Sequence, residues 1–258
     1  PYIYELLEAM NIPAIPKYGY EADDIIGTLA KKAEKDGYKT FMVTPDKDFA
    51  QLVSANIFMY RPMLGGGYET WGVDEVKAKF EVENPKQVID FLGMKGDAVD
   101  NIPGLPGVGD KTAKKFINLY GSMEGLIENA HELKGKMKEK VEANAELGLL
   151  SKKLATILLN VPVEFNAKIF QMETPDLEKV YAIFQELEFR RLAESFKKTF
   201  STQTNEINLN VEGNKKKPET PKKNPNAGNG QFLLFDSPEP DLSLIHISEP
   251  TRQAEIAY

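Results

Sequence analysis

The spacing of apolar and polar positions changes several times along the chain, and each change marks an element. Tyr4–Met10 reads as the end of an amphipathic helix, and Pro13–Pro16 as a short extended piece. Ala22–Lys35 sets Ile25, Ile26, Leu29 and Ala33 on one face at helical spacing with lysines opposite, a helix that Gly37 stops. Tyr38–Thr44 then reads as a buried strand, Asp46–Val53 as a short helix and Asn56–Tyr60 as a second strand. Strand, helix, strand with short connections predicts a parallel sheet covered by helices. Leu64–Gly67 is a hairpin tip before Tyr68–Trp71. From Val73 to Asn160 the signal is mostly helical, broken by Gly and Pro near 93–96 and 103–109, and two more helices are predicted at Asp176–Leu187 and Phe189–Phe200. Ser201–Asp241 is rich in Asn, Lys, Pro and Thr and has the composition of a disordered linker.

Composition removes several chemistries. The chain has no cysteine, which excludes disulfides, zinc–thiolate sites and thiol catalysis, and only two histidines, His131 and His246. Absent cysteine fits a reducing, cytoplasmic setting. No apolar run approaches the roughly 20 residues that a membrane span needs. The first residues lack an initiator methionine and a secretory pattern, so the chain reads as cut from something longer. The net charge of −7 departs from the basic footprint usual in nucleic-acid binders.

That charge is matched by acids in three clusters: Glu21, Asp23 and Asp24; Asp46 and Asp48; Asp97 and Asp100. Each cluster alone has a plain structural explanation, because acids cap helices and complement the macrodipole in the first turn. Two clusters, however, fall where an extended piece ends and a helix begins, the position at which sites form in open α/β sheets. Together the three clusters call for positive charge, and divalent cations with hard oxygen ligands supply it best. Two such ions clamp a phosphodiester for hydrolysis.

Directly after the third cluster comes Gly104-Leu-Pro-Gly107-Val108-Gly109, with Lys111 and Thr112 behind it. The plain reading is a helix–turn–helix connection in which glycine supplies positive φ. The alternative is a phosphate cradle in which backbone N–H groups from Val108 to Lys111 and the Lys111 charge hold nucleic acid without reading sequence. Lys114 and Lys115 fit a solvated helix face, and Tyr68, Trp71 and Tyr120 fit packing better than base stacking.

Three segments carry a family resemblance: Gly19–Ala30, Thr44–Val53 and Gly93–Gly104. In this order they closely resemble the 5′→3′ exonuclease domains of bacterial DNA polymerase I, within the wider flap endonuclease family, from Pro1 to about Phe200. The resemblance implies a PIN-like α/β fold, a parallel sheet with helices, plus an all-α helix–hairpin–helix subdomain. It implies boundaries of 1–92 for the nuclease core and 93–200 for the hairpin subdomain and closing helices. Residues 201–241 would be the linker toward a polymerase domain in a longer chain. Residues 242–258 are expected to be non-native, because Ser243–Arg252 resembles translated sequencing-adaptor read-through.

The function implied is metal-dependent cleavage of 5′ flaps, nicked duplex and RNA–DNA primer junctions, by a monomer, for primer removal and DNA repair. By motif, Glu21 and Asp23 would hold one Mg²⁺ or Mn²⁺, and Asp46, Asp48 and Asp100 a second. Asp23 would stand between them, and Asp24 and Asp97 in the ligand set or immediately behind it. Gly104, Gly107, Val108, Gly109, Lys111 and Thr112 would track duplex DNA, with K⁺ at the hairpin. The family's first strand, two further acids and a basic helical arch are expected upstream of Pro1. A DNA-binding module that no longer cuts is the alternative.

Overall fold

Thr40–Val43 and Ile57–Pro62 lie side by side in parallel, Thr40 opposite Ile57 and Val43 opposite Tyr60. Their inner positions, Thr40, Met42, Ile57 and Met59, are buried, while Phe41, Phe58 and Tyr60 remain partly open on the other face. The period-2 alternation therefore places one face of the sheet on the core.

The computed structural model describes residues 2–200 and the backbone of Ile256–Ala257. In chain order the elements are α1 (Tyr2–Ala9), α2 (Ala22–Lys35), β1 (Thr40–Val43), a 3₁₀ helix (Lys47–Leu52), β2 (Ile57–Pro62), β3 (Tyr68–Trp71), α3 (Val73–Phe80), α4 (Gln87–Lys95), α5 (Asp110–Tyr120), α6 (Met123–Glu128), a short 3₁₀ turn (Ala130–Glu132), α7 (Gly135–Ala143), α8 (Ala145–Leu154), α9 (Leu177–Glu186), α10 (Arg190–Thr199) and β4 (Ile256–Ala257). The sheet order is β3-β2-β1-β4, with β3 antiparallel to β2 and the others parallel. β4 pairs only with Thr40 and Phe41 of β1.

The chain forms two units. In the larger, described over residues 15–171 and the backbone of Ile256–Ala257, one apolar core runs from Met42, Ile57 and Trp71 through Phe91 and Leu92 of α4 to Ile117, Met123 and Leu126. α4 thus packs on the 3₁₀ helix on one side and on α5, α6 and α8 of the hairpin region on the other. It runs through residue 93 without a break. α4 is pinned to its neighbours by Asp90, a buried carboxylate that accepts the Met123 N–H at 2.8 Å and pairs with Lys152 at 2.6 Å.

In the smaller unit, described over residues 2–14 and 172–200, α1, α9 and α10 gather around Ala9, Val180, Ile183, Phe184 and Ala193. Asp176 caps α9 by accepting the Lys179 N–H at 3.0 Å. Both helices expected after residue 175 are present. The expectations for 201–258 lie outside the described residues, apart from the backbone of β4.

Candidate active site

The turns after β1 and before α2 bring their acids to one place. Glu21, Asp23, Asp24, Asp46, Asp48 and Asp100 line a solvent-open cleft of about 240 Å³, closed on one side by Ile102 and by Leu154–Ile157. Each acid is set by a different local device. Asp46 caps the 3₁₀ helix by accepting the Asp48 N–H at 3.0 Å, and its own N–H donates to Thr44 Oγ1 at 3.1 Å. Asp48 begins that helix and is buried, with 8% of its surface exposed. Glu21 stands at the α2 N-cap position but makes no side-chain cap bond, leaving its carboxylate free to face the cleft. Asp24 Oδ1 accepts the Leu158 N–H at 2.8 Å, so that carboxylate fastens the cleft wall. Buried Gln51 fastens the same wall from the 3₁₀ helix, donating to the Ala155 carbonyl at 2.9 Å and accepting the Ile157 N–H at 3.0 Å.

Asp97 is not among the cleft-lining residues. Its backbone N–H and carbonyl pair with those of Ile102 at 2.9 and 2.8 Å, closing a loop around Asp100. Its carboxylate accepts the Val99 N–H at 2.9 Å and pairs with Lys47. The Lys47 ammonium and the Val99 N–H hold the Asp97 carboxyl below its ordinary range.

The electrostatics of the cleft follow from crowding. Burial, then the charges of Asp46, Glu21, Asp48 and Asp24, raise the Asp23 carboxyl from 3.8 to about 6. Burial also raises Asp48, although Lys47 Nζ is only 3.4 Å from its Oδ1. The ammonium shifts upward itself, as its pairing with Asp97 and Asp48 outweighs its burial, so at Asp48 desolvation wins over the ion pair. Asp48 Oδ1 is buried and accepts no hydrogen bond.

At the hairpin the expected residues divide. Gly104 is buried and its N–H donates to buried Ser151 Oγ at 3.0 Å, so it closes the turn from inside. Val108 requires a correction: its side chain is 5% exposed and its N–H donates to the Leu105 carbonyl at 3.0 Å. That N–H is used by the turn and is not offered to a phosphate. Gly107, Gly109 and Lys111 are exposed. Lys111 and Thr112 lie in the first turn of α5, ahead of the bond from the Ala113 N–H to the Gly109 carbonyl, where helix N–H groups have no partner within the helix. Asp110 beside them is balanced by Lys95 at 3.6 Å and Lys114 at 3.4 Å. Trp71 is buried under Arg61, whose guanidinium lies 3.9 Å from the ring centre, and Tyr68 stacks on Tyr60 at 4.5 Å.

A model of the 5′-3′ exonuclease N-terminal resolvase-like domain matches residues 1–81, and one of the 5′-3′ exonuclease C-terminal SAM fold matches residues 83–178. This chain belongs to the 5′→3′ exonuclease family. It is 42% identical over 196 residues to DNA polymerase I of Bacillus subtilis, covering 75% of this chain and 22% of that one. It is 36% identical over 200 residues to a 5′-3′ exonuclease of Aquifex aeolicus, covering 78% of this chain and 67% of the relative. The chain thus spans about a fifth of the DNA polymerase I relatives that it matches. Its fold is that of T5 5′-exonuclease with divalent zinc ions bound (TM-score 0.51, 19% identity, 74% and 62% coverage). It is also that of the catalytic core of Rad2 in complex with DNA substrate (TM-score 0.52, 17% identity, 78% and 66% coverage).

The cleft of this 5′→3′ exonuclease family member suits a hard divalent cation on its own chemistry. The donors are carboxylates, one buried carboxylate oxygen has no hydrogen bond, and burial together with like charges pushes Asp23 toward its protonated form. Among the described residues no three acids are already set around a single point. Two basic residues that the motifs pass over stand at the site. Lys47 lies between two acids in sequence and between two acids in space. Lys140 folds so closely over Gly107 that a β-carbon there would come within 2.6 Å of its Nζ. The first was legible as the middle of Asp46-Lys47-Asp48, whereas nothing local in the sequence joins Lys140 to residue 107.

Proposed function

We propose that this chain hydrolyses phosphodiester bonds at 5′ flaps, nicked duplex and RNA–DNA primer junctions, as the 5′→3′ nuclease part of a DNA polymerase I that removes primers and repairs DNA. The observation that carries this reading is the meeting of acids from three separate segments in one open cleft, within a 5′→3′ exonuclease fold. Glu21, Asp23, Asp46, Asp48 and Asp100 would hold Mg²⁺ or Mn²⁺. Asp24 keeps the Leu154–Ile157 wall in place, and Asp97 holds the loop that carries Asp100. Bound metal would supply an activated water and neutralise charge on the phosphorus-bound oxygens. Asp48, drawn toward its neutral form by burial, would gain from a cation nearby.

Gly107, Gly109, Lys111 and Thr112 would receive the phosphates of uncut duplex through first-turn N–H groups and one lysine charge. K⁺ would sit on the backbone carbonyls of this turn. The molecule would act as a monomer on DNA, with the polymerase domain in the same longer chain.

The deciding experiment is cleavage of a 5′-labelled flap by this chain with Mg²⁺, with Mn²⁺ and with chelator. Cutting is expected with metal, none with chelator, and none for Asp46→Ala, whose duplex affinity stays nearly unchanged. Duplex binding without cutting under any metal condition would overturn the reading in favour of a binding module. That second reading draws on the spread acids, no three of which surround one point among the described residues.

A further inference from the structure

The acid cleft and the hairpin proposed to hold duplex are joined by the loop 97–102. That loop has few ties of its own. Its ends meet in the single Asp97–Ile102 bridge, and Asn101 within it takes a left-handed φ of 55°. Ala98, Val99 and Asp100 are all exposed. The link from the loop to the cleft wall is Lys47. Its ammonium pairs with Asp97 Oδ2 on the loop and stands 3.4 Å from Asp48 Oδ1 on the 3₁₀ helix. Asp48 is more than nine-tenths buried, and that oxygen has no hydrogen bond, so the lysine is the positive charge nearest to an otherwise unmatched buried carboxylate.

We propose that Lys47 is a positioning residue for metal binding: its ammonium spans Asp48 and Asp97 and so sets the loop carrying Asp100 against the cleft. This rests on the nuclease reading above for its purpose, not for its geometry. Two effects of opposite sign compete. A lysine charge inside an acid cluster repels an incoming cation, whereas a lysine that orders the ligands favours it. If ordering wins, removing the lysine weakens metal binding although it makes the cleft more negative. Residues behind the ligands typically change metal affinity by about 10–100-fold.

The test uses the full chain and two readouts. Direct Mn²⁺ binding, followed by the paramagnetic resonance of free Mn²⁺, should weaken by about tenfold in Lys47→Met and recover most of the loss in Lys47→Arg. Amide hydrogen exchange without metal should rise in residues 97–102 of Lys47→Met and stay unchanged in β1 and β2. Asp97→Asn should loosen the same residues, and adding it to Lys47→Met should cost little more, because both changes break one tie. Mn²⁺ bound equally or more tightly by Lys47→Met would overturn the proposal, as would unchanged exchange in 97–102. A wild-type Mn²⁺ affinity no better than that of Asp46→Ala would instead sink the nuclease reading, and the exchange arm alone would then decide the lysine's tie.

Discussion

At the scale of single residues, acids that look alike in sequence do different work. Asp24 spends one oxygen on the Leu158 N–H and holds the cleft wall, while Asp46 caps a helix and Asp48 keeps a buried oxygen without a hydrogen bond. Asp24→Ala leaves the Leu158 N–H to water and should cost about 0.5–1 kcal/mol, read as a lower urea midpoint with an unchanged slope. An unchanged midpoint would remove Asp24 from the wall. Gly107 answers a different constraint. Its φ is +84°, and Lys140 Nζ occupies the space a side chain would take. Gly107→Val should therefore cost about 1–2 kcal/mol in backbone strain and displace the lysine. It should also weaken duplex binding and flatten its salt dependence, because a phosphate contact is lost. Equal affinity across a salt series would take the hairpin out of the binding surface.

At the scale of elements, most of the fold was legible. Ala22–Lys35 is a helix over the residues its apolar spacing selects, and β1 and β2 are the parallel neighbours that a strand–helix–strand pattern implies. The short helix after β1 is 3₁₀, tighter than its composition alone could indicate. The three acid clusters were legible as clusters because the chain concentrates like charge at turns, where backbone direction converges. That Asp24 is spent on an N–H depends on Leu158, a partner more than 100 residues away, and local spacing cannot report it. Val108 differs: its N–H is taken by the Leu105 carbonyl three residues earlier, within its own turn.

The packing of α4 against α8 was equally hidden. Gly93 lies so close to α8 that a β-carbon would come within 2.7 Å of Lys152 Cα, a backbone atom that cannot step aside. Gly93→Ala should therefore destabilise the chain by about 1–3 kcal/mol, despite the better helix propensity of alanine. A thermal midpoint at or above wild type would show that α4 and α8 can separate at little cost.

At the scale of the whole molecule, the net charge of −7 and the cleft are one problem in electrostatics. Asp23 makes it measurable, because burial and four neighbouring acids raise its carboxyl from 3.8 to about 6. A raised carboxyl means that the folded chain binds this proton more tightly than the unfolded chain does. The group's contribution to stability therefore falls as pH rises from about 4 through about 6, and the penalty is complete above that. A divalent cation among these carboxylates relieves the penalty at high pH and must displace the proton at low pH. Millimolar Mg²⁺ should thus raise the thermal midpoint clearly near about pH 7.5 and little near about pH 5. Asp23→Asn should raise the midpoint of the metal-free chain near about pH 7.5, with a smaller gain near about pH 5, and should remove much of the Mg²⁺ response. Calorimetry with and without chelator at the two pH values checks all of this. Equal Mg²⁺ shifts at both would mean that the ion stabilises the chain through its surface charge and not through the cleft.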